Sequence, residues 1–250
     1  MTEQSPKESV GKQWESFWKK ESDFLTSVKT DKGSPFVKAL LTYDLLKDGE
    51  KLLDCGCGNG RVDFELVSKG LQVTALDFSQ EMIASVADMK KALDNTAALH
   101  PVRADMAALP FRDGSFDVTI SVGAVEHWLE RDQRRHVVEE LTRVTRKEGK
   151  IALLIPNGRH PLYGFWRYII KQDTPSEVRH SAGSLAEEMS QFGLSKVKVI
   201  PMGVNQEFAH YLRFKWLRPF IQGASNFIDK LPMFIRLRLT VHLICVGEKP

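Results

Sequence analysis

Residues 51–61 read Lys-Leu-Leu-Asp-Cys-Gly-Cys-Gly-Asn-Gly-Arg. The apolar start of this stretch predicts a short strand that ends in Asp54, and helix-forming residues begin again at Val62. Three glycines lie between them at alternate positions: Gly56, Gly58 and Gly60. A strand, a glycine-rich turn and a helix form the start of the βαβ units that bind nucleotides. Glycine lets a ligand approach the backbone closely, and the amides that begin the next helix can receive a polar group.

A second apolar stretch, residues 71–77, also ends in an acid, Asp77. The acid lies at about the distance at which nucleotide-binding proteins place a carboxylate for ribose hydroxyls. The dinucleotide pattern requires a further glycine at position 61, where this chain has Arg61. A guanidinium at that crowded turn argues against a pyrophosphate and favours a smaller adenosine ligand. A nicotinamide-dependent oxidoreductase remains the alternative enzyme class.

Five motifs in this order resemble those of class I S-adenosylmethionine-dependent methyltransferases of the small-molecule type. The motifs are Leu53-Asp-Cys-Gly-Cys-Gly-Asn-Gly60, Ala75-Leu-Asp-Phe-Ser79, Ala104-Asp-Met-Ala-Ala-Leu-Pro-Phe111, Ser115-Phe-Asp-Val-Thr-Ile-Ser121 and Leu141-Thr-Arg-Val144. The resemblance covers residues 50 to 157 and implies an enzyme with S-adenosyl-L-methionine as its cofactor. A methyltransferase fold that acts only as a scaffold is the non-enzymatic alternative.

The resemblance also implies a set of cofactor-binding residues. They are Asp54, Gly56, Cys57, Gly58, Gly60, Asp77, Phe78, Asp105, Met106, Ser121 and Val122. The cofactor's amino-acid end is expected near Asp54, and its ribose hydroxyls are expected on Asp77. Asp105 and Met106 are expected to hold the adenine, although a turn aspartate and a core methionine would give the same pattern.

His127 is the candidate catalytic residue. Imidazole titrates near neutral pH, so it could accept the proton of a hydroxyl acceptor. A structural or solvent-facing histidine is the alternative. The pair Glu126-His127 is similar to a motif of metal-assisted relatives, but those have another Glu where this chain has Gly123. We therefore expect no metal site here.

Strands that alternate with helices of ten or more residues predict an α/β fold with a doubly wound, mostly parallel, seven-stranded sheet. We divide the chain into an N-terminal helical lid at 1–48, an α/β domain at 49–204 and 239–250, and a helical insertion at 205–238. The N-terminal helices could instead cover a sheet edge. The insertion is expected to cap the acceptor.

Several local expectations follow from the turn and cap residues. Ser34-Pro35 predicts the start of a helix that ends at Asp48-Gly49, and Ser79 predicts a helix cap. Gly149 is expected to supply the turn before a fifth strand. By the resemblance, the last strand should run antiparallel to its neighbours.

The insertion at 205–238 interleaves aromatic and basic residues, and another aromatic stretch lies at 162–170. The insertion could be a packed cap with a solvated basic face, or an amphipathic surface for anionic lipid or a lipophilic substrate. Nucleic acid ranks lower because no nucleic-acid module is recognisable. We expect a small, lipophilic or aromatic acceptor and peripheral membrane contact through 205–238.

Composition fits a globular protein of 250 residues, with 42% hydrophobic residues and a formal net charge of +3. The first thirty residues lack the apolar core of a signal peptide, and no uncharged apolar run approaches a membrane span. Three cysteines do not make a disulfide framework, and Cys55 and Cys57 lie inside the glycine turn. These features favour a cytoplasmic location. The sequence leaves the oligomeric state open.

Overall fold

The computed structural model describes residues 34–92, 97–161, 176–202, 223, 227–228 and 230–250. The strands in these residues are β1 Lys51–Cys55, β2 Gln72–Asp77, β3 Leu99–Arg103, β4 Phe116–Val122, β5 Thr145–Pro156, β6 Ser195–Pro201 and β7 His242–Glu248. The helices are α1 Pro35–Thr42, α2 Arg61–Ser68, α3 Gln80–Ala92, α4 Arg131–Val144, α5 Ala182–Gln191 and α6 Met233–Leu239, with a short 3₁₀ helix at Val125–His127.

The described strands form one sheet in the order β3-β2-β1-β4-β5-β7-β6. Strands β1 to β5 pair in parallel, and β7 lies antiparallel between β5 and β6. The predicted seven-stranded, mostly parallel sheet and its antiparallel last strand are confirmed. The chain order reverses between β1 and β4, so the switch point of the sheet lies at the carboxyl ends of these two strands.

Apolar cores lie on both faces of the sheet. Leu52 of β1 belongs to one core together with Phe36 of α1, whereas Leu53 belongs to the other together with Val137 and Leu141 of α4. Burying one such side chain contributes about 1.5–3 kcal/mol to the free energy of folding. A strand covered on both faces explains why β1 is apolar without alternation.

Helix α1 begins where the sequence predicts and ends earlier. The Ser34 hydroxyl accepts the Phe36 amide at 3.2 Å, and Pro35 occupies the first helical position. The predicted end at Asp48-Gly49 is wrong because the helix stops at Thr42.

The early stop has a local cause at Asp44. This residue has a φ of 52°, and its amide bonds to the Leu41 carbonyl at 3.1 Å. The next amide, of Leu45, bonds to the Leu40 carbonyl at 2.9 Å. This is the hydrogen-bond pattern of a Schellman end, with an aspartate where glycine is usual.

The expected turn at Gly149 is also wrong. Strand β5 already begins at Thr145, and the residue with positive φ is Glu148, at 60°. A Cβ on Gly149 would lie 2.7 Å from the Asp117 carbonyl oxygen. The Cγ2 of Thr145 and the carbonyl oxygen of Arg146 would lie as close, at 2.5 and 2.8 Å, so glycine is required there by crowding from within β5 and from β4.

Serines cap two further helices. The cap of α5 is Ser181, whose hydroxyl accepts the Ser184 amide at 3.1 Å. Ser79 caps α3 as predicted, since its hydroxyl accepts the Met82 amide at 3.4 Å. Residues 1–33 of the expected lid, the stretch 162–170 and most of 205–238 lie outside the described residues.

Candidate functional site

The sheet brings most of the predicted cofactor residues to one edge. In the parallel register Asp54 of β1 lies beside Ala75 of β2 and Ile120 of β4. Asp77 ends β2, and Val122 ends β4. The carboxyl ends of these three neighbouring strands therefore meet at the switch point, where α/β sheets bind ligands.

Strand β2 holds the glycine turn in place. The amides of Gly56 and Cys57 both donate to the Leu76 carbonyl, at 2.8 and 3.0 Å. The Gly58 amide donates to Asp77 Oδ2 at 3.0 Å. The turn is thus fixed by the strand that follows it in the chain.

The loop after β4 packs directly on the glycine turn. Gly56 has a φ of 79°, and a Cβ added to it would lie 2.5 Å from the Cβ of Ala124. Glycine is therefore required at position 56 by backbone conformation and by this contact. The contact brings the 3₁₀ helix with Glu126 and His127 close to the turn.

Asp77 is buried and accepts backbone amides. Ser79 donates to Oδ1 at 2.9 Å, and Gly58 donates to Oδ2. Burial raises the pKa of Asp77, and the amides of Ser79, Gly58 and Phe78 partly offset this rise. A carboxylate has about four lone-pair sites, so Asp77 can still accept a hydroxyl group.

The Phe78 ring stands beside this acid and is 45% exposed. An aromatic face next to an acceptor of hydroxyls is suited to a nucleoside. The geometry is compatible with the predicted place of Phe78 in the cofactor site.

Asp105 and Met106 follow β3 and are half-buried. Asp105 Oδ1 accepts the Ala107 amide at 2.9 Å, which makes a local turn. The indole N–H of Trp128 donates to the Met106 sulfur at 3.3 Å. This contact joins the loop after β3 to the loop after β4. The turn role of Asp105 is visible in the geometry, and the adenine role stays a prediction.

Sequence reasoning missed Asp63, which forms a buried carboxyl pair with Asp54. Asp63 lies in the first turn of α2, and no part of it is exposed, while Asp54 is 1% exposed. Three of their four oxygens have no donor among the described residues, so a hydrogen bond between the two carboxyl groups requires that they share a proton. Burial raises the pKa of Asp54 to about 7 and raises that of Asp63 well above its usual range. The one sequence signal is an acid on the apolar side of a helix that follows the turn.

His127 is held by a segment that is distant in sequence. Its Nδ1 lies 2.9 Å from the Ser176 carbonyl oxygen. A carbonyl only accepts hydrogen bonds, so Nδ1 carries a proton and the neutral ring has its basic lone pair on Nε2. The neighbouring Glu126 is tied to the same segment, since its carbonyl accepts the Val178 amide at 2.8 Å.

Glu126 is a second titratable group that sequence reasoning did not assign a role. Its side chain is buried, and burial raises its pKa to about 8, assisted by the charge of Glu177. A hydrogen bond from its own backbone amide lowers the pKa, but by less than burial raises it. Within the described ranges, Glu126 Oε2 has no hydrogen-bond partner. At neutral pH this carboxyl is mostly protonated.

The residues at the strand ends fit an adenosine-type ligand with a charged amino-acid end. Asp54 Oδ1 and Ser121 Oγ are buried polar atoms without a partner in the described part of the chain. A buried polar atom without a partner is costly, which favours a ligand that supplies one. No group of three or more His, Cys, Asp or Glu side chains in the described ranges could hold a metal ion. Fold and site together define a nucleoside-binding protein of the Rossmann-like class.

Comparison with known proteins agrees with this class. Residues 53–153 match the family model of the methyltransferase domain. The chain is 34% identical over 141 residues to the malonyl-(acyl-carrier protein) O-methyltransferase of Erwinia billingiae, covering 56% of this chain and 51% of that protein. It is 34% identical over 122 residues to the demethylmenaquinone methyltransferase of Renibacterium salmoninarum, covering 48% of this chain and 46% of that protein.

A solved structure of phosphoethanolamine N-methyltransferase 2 from Haemonchus contortus has the same fold. Its TM-score is 0.59 at 18% identity, with 86% of this chain and 52% of that chain covered. The chain thus carries a class I S-adenosylmethionine-dependent methyltransferase domain, and S-adenosylmethionine is the cofactor of that domain. The chain spans about half the length of the curated relatives it matches.

Proposed function

We propose that the protein transfers the methyl group of S-adenosylmethionine to a small lipophilic or aromatic acceptor. The observation that supports this most is the meeting of Asp54, the glycine turn and Asp77 at the switch point of the sheet. The bound cofactor supplies a methyl group on a sulfonium, which is already a good leaving group. The protein's main task is therefore to align cofactor and acceptor.

In this proposal, residues at the ends of different strands bind different parts of the cofactor. Asp77 accepts the ribose hydroxyls, beside the exposed ring of Phe78. Asp105 and Met106 hold the adenine. The amino-acid end lies at Asp54, whose buried oxygen lacks a partner among the described residues. Ser121 and Val122 lie on the far side of the glycine turn, at the end of β4.

His127 receives the acceptor's proton when the acceptor is a hydroxyl. The hydrogen bond from Nδ1 to Ser176 fixes the tautomer in which Nε2 is basic, which is the form a general base requires. Glu126, protonated at neutral pH because it is buried, supplies a hydrogen-bond donor in the same loop.

Several exposed apolar side chains support a lipophilic acceptor or a lipid surface. Phe227 is 65% and Phe234 is 69% exposed, and Met233 is exposed beside them. The basic residues Lys230 and Arg238, also exposed, lie in the same part of the insertion. The relative that acts on demethylmenaquinone is in line with such an acceptor, while the malonyl-(acyl-carrier protein) relatives make a carboxylate the rival acceptor.

The cofactor assignment is tested by thermal unfolding with S-adenosylhomocysteine and, separately, with NADH. A ligand at about 100 times its Kd stabilises the folded state by about 2.7 kcal/mol. We expect S-adenosylhomocysteine alone to raise the Tm. A rise with NADH alone would mean an oxidoreductase, and no rise with either would mean a scaffold.

The acceptor class is then tested by turnover with a hydroquinone and with a malonyl thioester. We expect methylation of the hydroquinone. Methylation of the malonyl thioester alone would replace the proposed acceptor by a carboxylate.

We further propose that residues 205–238 contact anionic membranes peripherally. No helix in the described residues is long and apolar enough to cross a bilayer. Basic residues near an anionic surface each contribute about 1 kcal/mol, and salt screens this attraction.

Vesicles with anionic lipid should retain the protein at low salt and release it at high salt. The pair Phe227→Ser and Phe234→Ser should abolish retention, whereas Leu41→Ser, an exposed leucine of α1, should not. Failure of the intact protein to sediment with anionic vesicles would refute the contact.

A further inference from the structure

The carboxyl pair of Asp54 and Asp63 lies directly under the glycine turn. Asp54 is the penultimate residue of β1, in front of the turn, and Asp63 is the third residue of the helix behind it. Asp63 Oδ2 lies 3.5 Å from the position that a Cβ on Gly60 would take. The two acids therefore enclose the turn from the strand side and the helix side.

The surroundings of Asp63 leave Asp54 as its hydrogen-bond partner. Neither oxygen of Asp63 accepts a donor from the described residues, although the side chain is fully buried. Asp54 Oδ1 lacks a donor in the same way. The nearby acid Asp77 further disfavours negative charge on Asp54. Two buried carboxyl groups in contact do not both ionise, so one proton lies between them.

The proton belongs on Asp63. The hydrogen bond between the two groups lowers the pKa of Asp54 and raises that of Asp63. The cofactor's ammonium group would lie against Asp54, and a nearby cation favours the ionised form of the carboxyl group that it contacts. Asp63 is then a neutral carboxylic acid, and Asp54 is the carboxylate that faces the turn.

We propose that Asp63 is a positioning residue for the amino-acid end of the cofactor. As a carboxylic acid it donates a hydrogen bond to Asp54 and holds that carboxylate ionised and oriented toward the cofactor's ammonium group. This role rests on the proposed function, because it requires that S-adenosylmethionine binds at the turn. A hydrogen bond to a charged group is strong enough to change affinity about tenfold when it is lost.

Calorimetric binding of two ligands tests this role. S-adenosylhomocysteine carries the amino-acid end, whereas 5′-methylthioadenosine has the nucleoside and lacks that end. Asp63→Leu should weaken S-adenosylhomocysteine about tenfold and leave 5′-methylthioadenosine unchanged. Asp63→Asn should stay within about threefold of the intact protein for both ligands, because its amide still donates to Asp54. Asp132→Leu is the matched control, since Asp132 occupies the first turn of α4 and is exposed.

The outcomes separate the two proposals. Equal weakening of both ligands by Asp63→Leu would overturn the role, because it would mean that Asp63 only supports the shape of the turn. Unchanged binding of S-adenosylhomocysteine by Asp63→Leu would overturn it as well. Should Asp63→Leu fail to fold, Asp63→Asn decides: a tenfold loss specific to S-adenosylhomocysteine would contradict the donor role. An intact protein that binds neither ligand would refute the proposed function itself.

Discussion

At the scale of single residues, Asp77 has a structural contact and a proposed binding role at the same time. Its carboxylate accepts the Gly58 and Ser79 amides, so it also shapes the turn. The sequence pattern indicates only the binding role. The structure adds that a substitution here changes the turn as well as the ligand contact.

Asp77→Ala should therefore weaken S-adenosylhomocysteine at least about tenfold. The variant loses charge-assisted hydrogen bonds of about 1.5–3 kcal/mol each and also releases the Gly58 amide. Asp77→Asn keeps one carbonyl acceptor and should lose less affinity for S-adenosylhomocysteine. Isothermal calorimetry measures both variants, and an affinity of Asp77→Ala equal to that of the intact protein would mean that the ribose lies elsewhere.

Glu126 predicts an unusual pH dependence of stability. Its pKa is raised to about 8 in the folded protein, so between its unfolded value and pH 8 the folded state binds more protons than the unfolded state. The contribution of Glu126 to the free energy of unfolding is therefore largest at low pH. It falls by up to about 1.4 kcal/mol per pH unit as the pH rises.

Glu126→Gln removes this titration while keeping a neutral side chain of similar shape. In urea unfolding across that pH range, the variant should gain stability relative to the intact protein as pH rises, and the difference should level off above pH 8. Glu139→Gln, at an exposed glutamate of α4, is the control. If the free energies of unfolding of Glu126→Gln and the intact protein changed in parallel with pH, Glu126 would be ionised in the folded protein throughout this pH range.

At the scale of elements, the turn after β1 and the loop after β4 form one packed unit. The contact between Gly56 and Ala124 joins them, and Trp128 extends the unit to Met106 after β3. Three loops of the proposed site thus depend on each other's positions.

A matched pair of glycines tests this packing. Gly56 and Gly49 both have a φ of 79°, but a Cβ on Gly49 would meet no atom within 4 Å. Gly49→Ala should cost about 1–2 kcal/mol for the left-handed backbone alone. Gly56→Ala should cost about 1–3 kcal/mol more, because it also displaces Ala124, and only it should weaken S-adenosylhomocysteine. Equal losses of unfolding free energy in the two variants would contradict the packed unit.

At the scale of the whole molecule, the end of the insertion is anchored to the sheet. The Asn157 side chain, fully buried, donates to the carbonyls of Leu237 and Thr240, at 2.9 and 2.7 Å. This anchor leads directly into β7, which lies between β5 and β6. The anchor can therefore be kept when the rest of the insertion is exchanged.

Replacement of residues 209–236 by a short linker should separate the binding of cofactor and acceptor. The described cofactor residues lie outside this segment, so affinity for S-adenosylhomocysteine should stay within about threefold. If the insertion caps the acceptor, kcat/KM for the hydroquinone should fall at least about tenfold. Unchanged kcat/KM would refute the cap.

The fold class could be predicted because it depends on local and periodic features of the chain. The apolar strands with Asp54 and Asp77 at or next to their ends, and the glycines at alternate positions between β1 and α2, can be recognised from neighbouring residues alone. Caps such as Ser34 and Ser79 are equally local. Both faces of the sheet are covered, which makes the strands apolar without alternation and therefore easy to find.

Contacts between distant segments could not be predicted in the same way. The need for glycine at position 149 arises partly from the Asp117 carbonyl of β4, and the acid at position 63 gains its significance from Asp54 only when α2 folds back against β1. The raised pKa values of Asp54 and Glu126 come chiefly from burial. Burial and pairing depend on which segments pack together in three dimensions, and spacing along one chain does not contain that information.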